Sequence, residues 1–262
     1  MKKVFALILG MALLFLFALS LSSCKKDKVE EIQEPDGDGI IKNAVKDYDG
    51  NTYDAVKLGK QVWMASNLRT THFANGNAIP LGNMVTNVSG TEPYRYNPDD
   101  NGSTVNTNGY LYNWPAAMKK GNSSSASPSG VQGACPNGWH MPSEAEWNEL
   151  TDYLSSQTKY QSGGSANIAK ALAAKSGWDQ SPVANTVGND QSSNNATGFS
   201  AVPAGECHQT PNHYGGSAYF WTATQRGSTM FAYYRMMRYY EATVTADEEF
   251  KEYGMSVRCV RD

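Results

Sequence analysis

Histidine is scarce in this chain, four among 262 residues. His140, His208 and His213 are far apart or separated by loop sequence, and no pair sits one helical turn apart as an imidazole metal site on a helix requires. Basic runs are equally sparse. The one cluster, Lys25, Lys26 and Lys28, is broken up by Glu30, Glu31 and Glu34, so the electrostatic footprint of a nucleic-acid binder is missing. Long apolar stretches are lacking too: the run from Val4 to Leu19 is short for a helix that crosses a bilayer. Cysteine is limited to Cys24, Cys135, Cys207 and Cys259.

What the first residues do contain is an address. Lys2 and Lys3 precede the apolar run, and Leu21-Ser22-Ser23-Cys24 follows it, a small-residue cleavage pattern that resembles the lipobox of bacterial lipoproteins. Residues 1–23 are therefore read as a lipoprotein signal peptide and Cys24 as the lipidation site, holding the protein to a membrane through its acyl chains. Cleavage would remove two lysines and no acids, so 22 basic residues become 20 against 25 acidic, a net charge of −5. Residues 24–44, charged and glycine-rich around Glu34-Pro35-Asp36-Gly37-Asp38-Gly39, read as a flexible tether. The Asp-Gly repeat lacks the ligand spacing and closing Glu of an EF-hand loop. Charges directly after Cys24 resemble the export signals of Bacteroidetes lipoproteins, so the expected location is the outer membrane, facing the cell surface.

The folded domain is expected over residues 45–262. Two β-rich runs, 52–58 and 61–64, flank Gly59-Lys60 and predict a hairpin. Ser143 stands three residues before Glu146, the spacing of a capping box, which sets a helix start at 143. Trp147, Leu150 and Leu154 then form its apolar stripe. The composition of residues 166–175 predicts a second helix stopped by Gly177. Short strands are expected at 199–205, 219–224, 230–234 and 256–260, and residues 69–109 read as irregular surface. Helices early and strands late define an α+β fold. With Cys24 committed to lipid, three cysteines remain, so at most one internal disulfide forms. Cys135–Cys259 and Cys135–Cys207 both remain open at this point.

Six ordered motifs carry a family resemblance. They are Val62-Trp63-Met64-Ala65-Ser66-Asn67-Leu68, Asn108-Gly109-Tyr110-Leu111-Tyr112-Asn113-Trp114, Cys135-Pro136-Asn137-Gly138-Trp139-His140-Met141-Pro142, Gly198-Phe199-Ser200-Ala201-Val202-Pro203-Ala204-Gly205, Phe220-Trp221-Thr222-Ala223-Thr224 and Ser256-Val257-Arg258-Cys259-Val260-Arg261-Asp262. Together they resemble the Fibrobacter succinogenes major paralogous domain, which is grouped with the formylglycine-generating-enzyme/sulfatase-modifying fold, a relative of the C-type lectin fold. The resemblance implies a C-type lectin-like domain: two helices, a small antiparallel sheet and long irregular loops. It also implies a Cys135–Cys259 bridge, and it makes His140 a buried, hydrogen-bonded turn residue. After Gly205 the chain departs from the family pattern with Glu206-Cys207-His208.

No catalytic constellation emerges. Cys207 and His208 are adjacent, so in an extended strand they point to opposite faces, and a lone Cys207 does not supply the paired cysteines of the copper-dependent formylglycine-generating enzymes. The expectation is therefore a non-enzymatic, surface-anchored binding module for a glycan or protein ligand. The alternatives are a sulfatase-modifying-type oxidase and a structural subunit of a surface assembly. Candidate ligand-binding residues are Arg235, Arg238, Tyr239 and Tyr240, an aromatic and cationic group suited to a sugar or protein surface, with Asp190, Asn194 and Glu206 from the polar loops. No cofactor is expected. Calcium is the one ion with a donor set, the hard oxygens of Asp179, Asp190 and Glu206.

Overall fold

The computed structural model describes residues 34–227 and 230–262. The signal peptide, Cys24 and the first part of the expected tether lie outside them. The described strands are β1 (Gly39–Lys46), β2 (Thr52–Leu58), β3 (Gln61–Met64), β4 (Arg95–Tyr96), β5 (Leu111–Tyr112), β6 (Trp139–His140), β7 (Glu206–His208), β8 (Thr210–Asn212), β9 (Ser217–Arg226), β10 (Phe231–Arg238), β11 (Thr245–Phe250) and β12 (Val260–Arg261). The helices are α1 (Val105–Asn108), α2 (Trp114–Ala117), α3 (Glu144–Ser156) and α4 (Ala169–Leu172). A five-stranded sheet runs β1-β2-β3-β12-β6 and a three-stranded sheet runs β11-β10-β9, with two-stranded ribbons β4-β5 and β7-β8. The fold is α+β, and every pairing between named strands is antiparallel.

Helix α3 forms where local chemistry dictates. Ser143 Oγ accepts from the Glu146 amide at 3.3 Å, and Glu146 Oε2 accepts from the Ser143 amide at 2.9 Å, closing the capping box. The other Glu146 oxygen holds His140 Nε2 at 2.6 Å, while Asp262 takes the opposite ring nitrogen at 2.7 Å. Burial alone would lower the His140 pKa, but the two carboxylates outweigh it and raise it. His140 is thus buried and hydrogen-bonded, as the family resemblance implies, but it lies in strand β6 opposite Val260 and not in a turn.

Two apolar clusters lie on either side of the central strands. Tyr219, Trp221 and Ala223 of β9 join one cluster, and Ala218 and Phe220 join the other. With both faces covered, residues 217–224 are buried without interruption, which is why Ser-Ala-Tyr-Phe-Trp-Thr-Ala-Thr shows no polar alternation. Trp147 from α3 sits between Trp63 at 4.6 Å and Phe220 at 5.6 Å, bringing the helix onto both sheets. Such aromatic contacts add roughly 0.5–1.5 kcal/mol per pair beyond the area they bury.

Three expectations are corrected. The folded chain starts well before residue 45. Asp38 collects the Gly59 amide at 2.9 Å, Tyr153 Oη at 2.7 Å, Tyr160 Oη at 2.8 Å and Lys159 Nζ at 2.8 Å, and Glu34 pairs with Arg261. Residues 34–44 are therefore held against the domain, with Ile41 of β1 in its core. The second helix shrinks to one turn, α4, because Ala169 N turns to the Ala242 carbonyl and Ala174 N to Ala201. Residues 199–205 and 256–259 are not strands but irregular stitches. The latter bonds in turn with Tyr219 and Trp221 through Ser256, Leu68 through Val257 and Met64 through Cys259, so it joins the two sheets without extending either.

The stitch carries the only disulfide among the described residues, Cys135–Cys259, with Cα atoms 5.9 Å apart. Next to it Arg258 is fully buried. It donates to Asn67 Oδ1 from Nε at 3.1 Å and Nη2 at 2.7 Å, to the Met64 carbonyl at 3.0 Å, and to the carbonyls of Phe199 and Ser200. Its guanidinium lies 4.3 Å from the Phe199 ring centroid. No carboxylate pairs with it among the described residues. Burial pulls its pKa down to about 9, which leaves it charged at neutral pH.

Candidate functional site

The hairpin β7-β8 carries Glu206, Cys207 and His208 and borders the three-stranded sheet, the Gly205 amide before it donating to the Ser217 carbonyl at 2.9 Å. Gly205, at φ +67°, leads into it. A Cβ there would stand 2.3 Å from the Asn212 carbonyl, so only glycine lets the hairpin close on itself. Glu206, the first residue of β7, has a side chain only 11% exposed, and its ion-pair contact is His213 Nδ1 at 3.5 Å. That separation is too long for a hydrogen bond. Burial, with the Glu249 carboxylate nearby outweighing Arg238, raises its pKa to about 7.

The strand register gathers further groups around it. In β10, Tyr234 is opposite Trp221 of β9 and Asp247 of β11, while Ala232 is opposite Glu249. Directly paired residues share a face, so Tyr234, Asp247 and Glu249 lie together, with the Tyr219 ring 5.7 Å from Tyr234 and edge-on. Tyr234 is 6% exposed. Burial and then the charges of Asp247, Glu206 and Glu249 push its hydroxyl pKa up, and that hydroxyl bonds to no described residue. Tyr219 Oη instead meets His213 Nδ1 at 3.2 Å. Cys207, the second residue of β7, is buried, and burial pushes its thiol pKa up, the opposite of what a nucleophile requires.

The residues singled out from sequence are divided by this geometry. Arg238 and Glu206 fall in the cluster, Arg238 also pairing with Glu241 at 3.1 Å. Tyr239 and Tyr240 follow directly, their rings 5.0 Å apart and perpendicular, and Tyr240 is 48% exposed. Asp179 belongs to the same end, its amide donating to the Gly215 carbonyl at 2.8 Å. Arg235 does not belong. It is buried and donates to Glu144 Oε2 at 2.8 Å and Asn148 Oδ1 at 2.7 Å, bracing β10 against α3, because alternation along the strand turns it away from Tyr234. Asn194 is also buried, its amide held by the carbonyls of Ala174 at 3.0 Å and Val187 at 3.1 Å. Asp190 accepts from Ser192 Oγ at 2.6 Å in a local turn.

The three calcium candidates are not brought together. Among the described residues no three His, Cys, Asp or Glu side chains converge as metal ligands. Within the loop that carries Asp190, a different cation is in place: Lys170 Nζ donates to the carbonyls of Thr186 at 3.3 Å, Asp190 at 3.2 Å and Asn189. Sequence reasoning missed Lys170, Asp247 and Glu249, and it passed over Tyr234 in favour of Tyr239 and Tyr240. Only the register of β9, β10 and β11 places Tyr234, Asp247 and Glu249 together.

Glu206 makes a measurable prediction. Its folded pKa is raised from 4.5 to about 7, so between those values the folded protein binds a proton that the unfolded chain does not. Stability therefore falls as pH rises through that window and levels off above it. Glu206→Gln should raise the unfolding temperature at pH 8 and leave it unchanged at pH 4. Calorimetry at the two pH values checks this, and an equal effect at both would show that Glu206 does not titrate as its surroundings imply.

A disulfide-stapled α+β domain with one long helix, two small sheets and polar side chains gathered on hairpins and loops is the class these features define. The chain belongs to the Fibrobacter succinogenes major domain family, whose model matches residues 56–261. No curated protein and no solved structure matches the chain.

Proposed function

We propose that the protein is an outer-membrane lipoprotein, anchored through Cys24 and facing the cell surface, whose C-type lectin-like domain is a non-enzymatic binding module for a glycan or protein ligand. The observation that carries this reading is the face formed by Glu206, Tyr234 and Arg238 beside the exposed Tyr240. The Glu206 side chain is only 11% exposed and has no cationic contact closer than His213 at 3.5 Å, and a ligand group that paired with it would offset part of the cost of burying a carboxylate. The bridge from the entrance of α3 to the final stitch, Cys135–Cys259, supports the lectin-like frame. A cysteine-pair oxidase finds no support, since Cys259 is bridged and Cys207 is buried.

The test is the full chain, purified in detergent, on glycan and protein arrays at pH 8. Binding to one ligand class is expected, reduced at least tenfold by Glu206→Gln and by Tyr240→Ala. Absence of binding to either class would overturn the reading.

A further inference from the structure

Three features of the described residues lie away from the face around Glu206. An open cleft of ≈ 440 Å³ lies beside His140 and Asp262, but both nitrogens of that imidazole are already occupied, so it offers a ligand no free base. Asp49 holds His72 Nδ1 at 2.5 Å and accepts from the Thr71 amide, which leaves His72 Nε2 free, yet among the described residues His72 joins no group of metal-ligating side chains. The third feature is the stretch from Glu34 to Asp38, fastened to the domain by side chains far along the chain.

We infer that the docking of residues 34–38 is a stop on the membrane leash, which keeps the end of the domain formed by Lys57, Lys60, Lys159 and Arg261 turned to the lipid headgroups. This rests on the reading of Cys24 as the lipidation site and adds which side of the domain meets the membrane. Length carries it. Cys24 and Glu34 are ten residues apart in the chain, and at full extension that many residues reach about 35 Å. A folded unit of about 230 residues has a radius of gyration of about 17 Å and is about 45 Å across. A leash shorter than the body it holds cannot pass around it, so the end at which it leaves the fold cannot face away from the bilayer. Were residues 24–44 all free, as their composition suggests, the reach would be about 70 Å, and any face could turn to the membrane.

The second observation is the strength of the stop. Asp38 takes four donors, the Gly59 amide, Tyr153 Oη, Tyr160 Oη and Lys159 Nζ, and its side chain is 9% exposed. Burial alone would raise the pKa of this carboxyl, but Lys159, the Gly59 amide and the two tyrosines outweigh it and hold it low. Before Asp38, Lys57 Nζ donates to the Pro35 carbonyl at 3.0 Å and Glu34 pairs with Arg261. After it, Ile40 and Ile41 pair with Val56 and Ala55 of β2. These bonds gather the cations named above, Lys60 by following Gly59 in the turn. Three of the four are already matched by Glu34 and Asp38, so chain length and not charge imposes the orientation, and salt has little to screen. Clefts of ≈ 450 and ≈ 410 Å³ that share Lys159 and Tyr160 lie at this same end, so a large ligand is expected elsewhere on the domain.

The test uses the full chain, processed in a bacterial host and placed in phosphatidylcholine vesicles with an acceptor dye on a fraction of the headgroups. A donor dye on Lys60→Cys reports how far this end stands from the bilayer. Cys207 is buried and Cys135–Cys259 is bridged, so the introduced thiol is the one that takes the dye. Energy transfer is expected to fall at least twofold when a long Gly-Ser segment is inserted between Glu31 and Ile32. A smaller fall is expected in Asp38→Asn, which releases residues 34–38 while the pairing of β1 with β2 holds the rest. High salt should leave the transfer of the native chain unchanged. Transfer that ignores the insertion would overturn the inference, and its loss in high salt would then mark a charged lipid-binding surface instead. A native chain that does not float with the vesicles, or a Cys24→Ser chain that still does, would overturn the lipoprotein reading and this inference with it.

Discussion

Arg258→Ala is expected to destabilise the domain by about 5 kcal/mol, enough to leave little folded protein at 37 °C. The guanidinium makes five acceptor contacts to two separate stretches of chain: Met64 and Asn67 at and just after the end of β3, and Phe199 and Ser200 in the stitch before β7. Truncation strands those oxygens without water and opens a void beneath Phe199, and each buried acceptor left unpaired costs about 1–3 kcal/mol. Arg258→Lys keeps the charge but replaces a planar fork with a point donor, so it should recover part of the loss. Urea unfolding of the three proteins checks the order, wild type above Lys above Ala. If Arg258→Ala unfolds at the wild-type midpoint, the guanidinium is not the clamp described.

Reduction of Cys135–Cys259 is expected to have an effect of similar size. The bridge spans a sequence separation of 124, and the loop-entropy relation gives about 5 kcal/mol for a loop of that length. The Cys135→Ala/Cys259→Ala double variant isolates the cross-link from any reactivity of the thiols. Its urea midpoint should fall to that of the reduced wild type, and further reductant should not move it. A midpoint unchanged by reduction would show that the unfolded chain is not what the bridge constrains.

How legible these features are depends on how local their causes are. The capping box of Ser143 and Glu146 and the Gly59-Lys60 turn act within a few residues, so α3 and the β2-β3 hairpin can be read directly. The bridge becomes readable only through the family motifs, because three cysteines without geometry permit several pairings. β1 escapes because its sequence carries one core residue, Ile41, and a bulge between Ile41 and Val45, while its anchorage depends on Tyr153, Tyr160 and Lys159 far along the chain. The second helix is overestimated since helix propensity is a weak prior that the backbone pairings of Ala169 and Ala174 override. At the site, Glu206, Arg238 and Tyr240 stand out by residue type. Arg235 shares that type with Arg238 but faces α3, and strand register, which decides such matters by single-residue steps, is not written in composition.

Lys170 shows a different economy of the fold. Its ammonium, buried and with its pKa lowered by that burial, is solvated by the carbonyls of residues 186, 189 and 190 as a crown ether solvates potassium. An ion carried on a side chain is covalently tethered to its host, so its local concentration is set by the chain and not by the medium. Closure of that loop is then a unimolecular equilibrium: dilution cannot strip the ion, a chelator has nothing to remove, and the loop's order at this point does not vary with the salt in which the cell finds itself.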